Sequence, residues 1–165
     1  MEAIQAALPD WLAGAVPIGI GAGLRQGEAS GLTVDRVDFL RRTLRVDRQL
    51  LCRQVPEPVL APPKTAGSHR RSRSPPSSSI PWPTTCAGTR PGRATSCCAP
   101  LPASRWTPTA SANSGRRARR QAGVPGLGYH SLRHTFASTL LSRGVSVKAV
   151  GDWLGHANPA ITLST

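Results

Sequence analysis

The chain has 165 residues, of which 21 are Lys or Arg and eight are Asp or Glu, for a net charge of +13. That is the length of one domain rather than two. No apolar run approaches the roughly 20 residues of a spanning helix, and no basic n-region with an apolar h-region opens the chain. Membrane and secreted classes are therefore excluded, and a soluble, cytoplasmic protein is expected.

From the start, Ile4, Leu8 and Leu12, then Val16, Ile18, Ile20 and Leu24, stand among Ala and Gly. This pattern predicts two short buried helices broken near Pro9 and Pro17. From Leu32 to Leu51, apolar residues such as Val34, Val37, Phe39, Leu44 and Val46 partly alternate with charged ones. Such alternation predicts a β-hairpin with one wet face, turning near Arg41 and Arg42.

After Lys64 the character changes. Residues 70–114 contain eight prolines and nine serines but no acid, and their large apolar groups are Ile80, Trp82, Leu101 and Trp106. A stretch of this composition buries too little surface to offset its ordering entropy, so disorder is expected. The basic charge is also concentrated: 14 of the 21 basic residues and no acid lie between Glu57 and Asp152. Net charge normally points to a polyanionic partner such as nucleic acid, but here it follows one anomalous segment.

Helical patterning returns at Tyr129. Leu132, Phe136 and Leu140 recur at four-residue spacing and Gly144 ends the run, which predicts an amphipathic helix from His130 to Arg143. A second helix follows, with Ser146 as N-cap, Val147, Val150 and Leu154 on one face, and an end near Gly155. Asn158 and Pro159 supply the N-cap and first-turn proline of a third.

No metal site is expected. Cys52, Cys86, Cys97 and Cys98 form no C-x-x-C pair, and His130 and His134, four apart, have no third ligand nearby. The chemistry lies elsewhere. His130 and Arg133 are three apart on one helical face, so both side chains can reach a single phosphate. Arg25 on a separate segment supplies a second guanidinium fork, and two forks suit a phosphoryl transition state whose charge spreads over several oxygens.

The string HSLRHTFASTLLSRGVSVKAVGDWLGHANPAITLST, from His130 to Thr165, resembles the C-terminal motif block of the tyrosine recombinase (phage integrase) family. GLRQGE, from Gly23 to Glu28, resembles that family's first arginine box, and PKTAGSHR, from Pro63 to Arg70, its lysine turn. The resemblance implies a mainly helical α+β catalytic domain with a small antiparallel sheet, the fold of the family's DNA breaking and rejoining enzymes. It implies five catalytic residues: Arg25, Lys64, His130, Arg133 and His156. Lys64 would protonate the departing 5′ oxygen, and His156 would donate a hydrogen bond to a phosphate oxygen. A tyrosine hydroxyl attacks the DNA phosphate in this family, forming a 3′-phosphotyrosyl link that stores the bond energy without ATP or other cofactor. The implied partner is double-stranded DNA, on which family members assemble as tetramers.

Three departures accompany the resemblance. The expected nucleophile would follow Thr165, and the one tyrosine present, Tyr129, sits on the wrong motif. The family's DNA-clamping domain would precede Met1. Residues 71 to about 115 stand where a closing strand and further helices belong, yet carry none of their periodicity. The expected organisation is an N-terminal part of the catalytic domain at 1–69, an anomalous segment at 70–118 and a C-terminal part at 119–165. An out-of-frame translation of a GC-rich gene, entered near His69 and left before Arg119, would account for the anomaly. Glu28 is expected to brace a helix start or an arginine, Trp153 to be a core or lid residue, and His134 to pack or hydrogen-bond within its helix. The rival functions are a catalytically dead DNA-binding remnant and a basic, disordered nucleic-acid binder.

Overall fold

In the computed structural model of the chain, the structure describes residues 2–51, 59–63, 69–73 and 108–156. Four short helices open it: α1 (Glu2–Ala7), α2 (Asp10–Ala13), α3 (Ala15–Ala22) and α4 (Gln26–Gly31). Pro9 precedes α2 and breaks the chain as its sequence predicts, but Pro17 lies inside α3. In the first turn a proline's missing N–H has no intrahelical partner to lose. The break falls at Gly14 instead.

A 3-10 turn (Val34–Arg36) leads into β1 (Val37–Asp38), β2 (Thr43–Val46), β3 (Gln49–Leu51), β4 (Val59–Ala61) and β5 (Arg70–Arg73). The predicted hairpin forms only in its middle. β1 and β2 pair antiparallel with Val37 opposite Leu44, and Arg42 takes a positive φ of 50° in the turn. Leu32 to Arg36 instead end α4 and make the 3-10 turn, whereas Gln49 to Leu51 leave to pair with β4 in a separate two-stranded sheet. The second partner of β2 is β5, which places Leu44 opposite Ser72 and Val46 opposite Arg70. Alternation along a strand then turns Arg70 and Ser72 to the inner face, with buried Leu44 and Val46, and leaves Arg71 exposed.

Three further helices complete the described residues: α5 (Pro108–Gln121), α6 (Tyr129–Ser142) and α7 (Val147–Leu154). The expected disordered segment is therefore ordered at both ends, by β5 pairing with β2 and by α5; residues 74–107 lie outside the described residues. The α6 and α7 predictions agree with the structure. Ser146 caps α7, its Oγ accepting from the Ala149 N–H at 3.3 Å, and Gly155 ends it at φ 69°. The third helix expected from Asn158 lies outside the described residues.

Two apolar clusters hold these elements. Leu12, Ile18, Ala22, Leu24, Leu32, Leu44 and Val46 form one, between α2–α4 and the three-stranded sheet. Phe136, Leu140, Val150 and Leu154 form the other, between α6 and α7. Gly23 joins them. It adopts φ 61°, and a Cβ there would fall 2.5 Å from Phe136 and 2.8 Å from Leu154, so only glycine lets the chain pass between the clusters.

Candidate functional site

Glu28 organises the first arginine box. It occupies the third position of α4, and its Oε2 accepts from the Arg25 backbone N–H at 2.9 Å while Oε1 accepts from Arg25 Nη1, also at 2.9 Å. An acid at that position satisfies an N–H left open at the helix start and favours the positive end of the helix dipole. The same carboxylate takes a second arginine, Arg70 of β5, at 2.8 and 3.2 Å. Burial pushes the Glu28 carboxyl up, but the hydrogen bonds and charge of Arg70, with the bonds from Arg25, outweigh it and hold the group below its ordinary value.

The C-terminal end of α7 is the second organiser. Three consecutive carbonyls there each accept from a different arginine. Trp153 O receives Arg70 Nε at 2.7 Å, Leu154 O receives Arg133 Nη2 at 2.6 Å, and Gly155 O receives Arg25 Nη2 at a longer 3.5 Å. The last carbonyls of a helix lack intrahelical partners and carry the negative end of its dipole, so cations are favoured there. Arg133 Nη1 also donates to Gly23 O at 2.6 Å. Burial first, and then the charges of Arg25 and Arg70, lower the Arg133 pKa to about 10, which leaves it charged at neutral pH.

His156 follows directly. Its backbone N–H donates to Gly151 O at 2.9 Å and Gly155 N–H to Asp152 O at 3.1 Å, the paired bonds with which a left-handed glycine closes a helix. Leu-Gly-His is thus a helix stop that delivers an imidazole beside the arginines. Burial, followed by Arg133, Arg25 and Arg70, lowers the His156 pKa to about 4, so its ring is neutral at pH 7.

The structure brings together Arg25, Arg133 and His156. His130 is exposed in the first turn of α6, its ring 6.3 Å from that of His134. Helical spacing puts His130 and Arg133 on neighbouring positions, but Arg133 is drawn inward to two carbonyls. His134 is exposed rather than packed. Lys64 lies outside the described residues, in the connection from β4 to β5. Trp153 packs against the second cluster, as a core residue would. Among the described residues no cluster of three or more metal-ligating side chains occurs, and no helix is long and apolar enough to cross a membrane.

Arg70 is the residue that sequence reasoning missed. Composition groups it with the acid-free, proline- and serine-rich segment that begins at residue 70, yet its side chain is only 6% exposed and engaged with Glu28 and α7. The available signal is Glu28, the one acid of the first arginine box, which needs cationic partners if buried. An apolar cavity of about 330 Å³, lined by Ile4, Leu12, Tyr129 and Leu132 among others, includes none of the clustered arginines or His156.

The profile of the phage integrase family matches residues 87–165. A tyrosine recombinase XerC-like protein of Caldanaerobacter subterraneus subsp. tengcongensis is 50% identical over 42 residues, 26% of this chain and 11% of that protein. Tyrosine recombinase XerC of Staphylococcus epidermidis is 46% identical over 44 residues, 27% of this chain and 15% of its own length. Among solved structures, the Tn1549 transposon integrase in complex with a circular intermediate DNA superposes with a TM-score of 0.71 at 22% identity, over 92% of this chain and 52% of that one. The XerA recombinase gives a TM-score of 0.66 at 18% identity, over 98% of this chain and 56% of that one.

Residues 87–165, just under half of the chain, match the phage integrase family, and the curated relatives that the chain resembles are tyrosine recombinases. The chain's mainly helical fold with small antiparallel sheets is the one expected from the sequence, and it is shared with these recombinases. The 165 residues span about half the length of the solved family chains, and a smaller share of the curated relatives. The family match starts at residue 87 and so takes in α5 and the residues before it, beyond the span on which the sequence resemblance rests.

Proposed function

We propose that these residues form part of the catalytic domain of a DNA integrase, which breaks and rejoins double-stranded DNA through a 3′-phosphotyrosyl intermediate. Arg25 and Arg133 hold the non-bridging oxygens of the scissile phosphate and offset the charge that builds on them. His156, neutral but with an N–H to give, donates to one of those oxygens. Lys64 protonates the leaving 5′ oxygen as the tyrosyl oxygen bonds to phosphorus, and His130 acts from the exposed first turn of α6. No metal or cofactor is assigned a part. The reading puts the protein in the cytoplasm; tetramer assembly on DNA is a property of family members and is not assigned to these residues alone.

One observation carries this reading. Two arginines and a histidine from three separate segments gather at the end of α7, close enough that Arg133 and Arg25 depress the His156 pKa. Cations brought together against their mutual repulsion suit a polyanionic ligand. The sequence's single tyrosine, Tyr129, packs against the first core cluster and is not assigned as nucleophile. The attacking hydroxyl of a complete reaction has to come from outside these 165 residues. A DNA-binding remnant without chemistry is the second reading, and Tyr129's placement is what favours it.

The test is a nicked suicide duplex incubated with the 165-residue chain, alongside Arg25→Ala and Arg133→Ala. The expected result is DNA binding that weakens with salt, weakens further in both variants, and gives no covalent product with this chain alone. Binding indifferent to both substitutions would overturn the assignment of the site. Covalent product would show that Tyr129 attacks after all.

A further inference from the structure

We propose that Arg70 is a positioning residue of this site: it holds Glu28 and the end of α7 in one plane of hydrogen bonds, and through them sets Arg25 and His156. The inference rests on the phosphoryl-transfer reading above and deepens it.

The geometry is a fork with three tines. Nη1 and Nη2 meet the two oxygens of Glu28 at 3.2 and 2.8 Å, and Nε meets Trp153 O at 2.7 Å. A guanidinium offers such donors in one rigid plane, whereas the ammonium of lysine offers a single point of charge. The Arg70 and Glu28 side chains are 6% and 3% exposed, so the pair is shut from water, while Arg25 remains 38% exposed. The two arginines on one carboxylate therefore divide the work. Arg70 is sunk and holds; Arg25 stands at the rim, where an anion can reach it.

Charge supports the same division. Glu28 alone with Arg25 would neutralise it. With Arg70 and Arg133 included, three guanidiniums face one carboxylate, so the group keeps a surplus of positive charge for a phosphate. Position follows from the fold. Arg70 stands opposite Val46 on the inner face of β5, and its reach to Trp153 O ties the sheet to the helix end from which His156 emerges.

The experiment compares the wild-type 165-residue chain with Arg70→Lys and with the double variant Glu28→Gln/Arg70→Met, which removes both charges and leaves neither partner buried alone. Orthovanadate, a mimic of the phosphoryl transition state, is titrated calorimetrically; the His156 ring is titrated by NMR; circular dichroism reports the fold. The expected result is native helix content, with vanadate affinity reduced about tenfold or more in both variants, the effect expected from losing a charged hydrogen bond. The His156 titration should move upward in the double variant, which lacks the Arg70 charge. Folded variants that bind vanadate as the wild type does would overturn the Arg70 assignment and leave the phosphoryl reading standing. Unfolding of both variants would assign the pair to stability alone and overturn it too. A wild-type chain that binds no vanadate overturns the phosphoryl reading, and the assignment falls with it.

Discussion

Arg133 donates a 2.6 Å hydrogen bond to the carbonyl of Gly23, 110 residues earlier in the chain. The bond fastens α6 to the left-handed turn from which Arg25 departs, and only glycine fits that turn. Gly23→Ala should therefore lose about 1 kcal/mol to the strained φ and about 1–3 kcal/mol more to overpacking against Phe136 and Leu154. Urea unfolding followed by circular dichroism measures this. A loss below about 0.5 kcal/mol, the range of neutral surface changes, would show that the turn relaxes freely.

Glu28 accepts from Arg25 and Arg70 while 3% exposed. Glu28→Gln leaves Arg70 buried without its counter-charge, and breaking one side of such a pair costs about 3–5 kcal/mol. Because the folded pKa of Glu28 is depressed, its contribution is present above its ordinary value of 4.5 and is lost as pH falls through the folded pKa. The wild type should then show a steeper loss of stability in acid than the variant. Parallel acid curves for the two would remove Glu28 from the account.

His156 sets a second window. Its folded pKa of about 4 lies below the ordinary 6.5. The unfolded chain therefore binds the extra proton first, and stability falls as pH drops from 6.5 to 4. An NMR titration should find the ring neutral at pH 6, and His156→Asn should flatten the stability curve within that window. A midpoint near 6.5 in the folded chain would mean that neither burial nor the arginines act on it.

What the sequence made legible was local. Ser146 and Gly155 announce the two ends of α7, and the spacing of Leu132, Phe136 and Leu140 announces α6, because caps and apolar periodicity act over a few residues. Pro17 misleads, since a proline breaks or tolerates a helix according to its turn, which depends on where the helix begins. Leu50 and Leu51 fall to the nearer strand in the sequence pattern, although the alternation that marks a strand does not name its partner. In the site, motifs point to Arg25, Arg133 and His156. They do not point to Arg70, because its role exists only where β5, α4 and α7 meet.

The anomalous composition gives a prediction at the nucleotide level. If β5 and α5 are translated in frame, a change of reading frame falls in the codons between Arg73 and Pro108. Translation of those codons in the other two frames should give, in one of them, apolar residues at helical or strand spacing. If neither frame does so, the segment belongs to the protein as it stands and the frame explanation fails.

The last prediction concerns α5. Its sequence, PTASANSGRRARRQ, has no acid, and Arg116, Arg117 and Arg120 are exposed on it. Exposed arginines touching a DNA backbone release counterions, about 0.9 per phosphate neutralised. Replacing all three with alanine keeps helix propensity and leaves the buried packing of α5 untouched. The slope of log affinity against log salt for duplex DNA should therefore flatten by about 0.9 for each phosphate that an arginine had neutralised, with the thermal transition unchanged. An unaltered slope would place the DNA path away from α5.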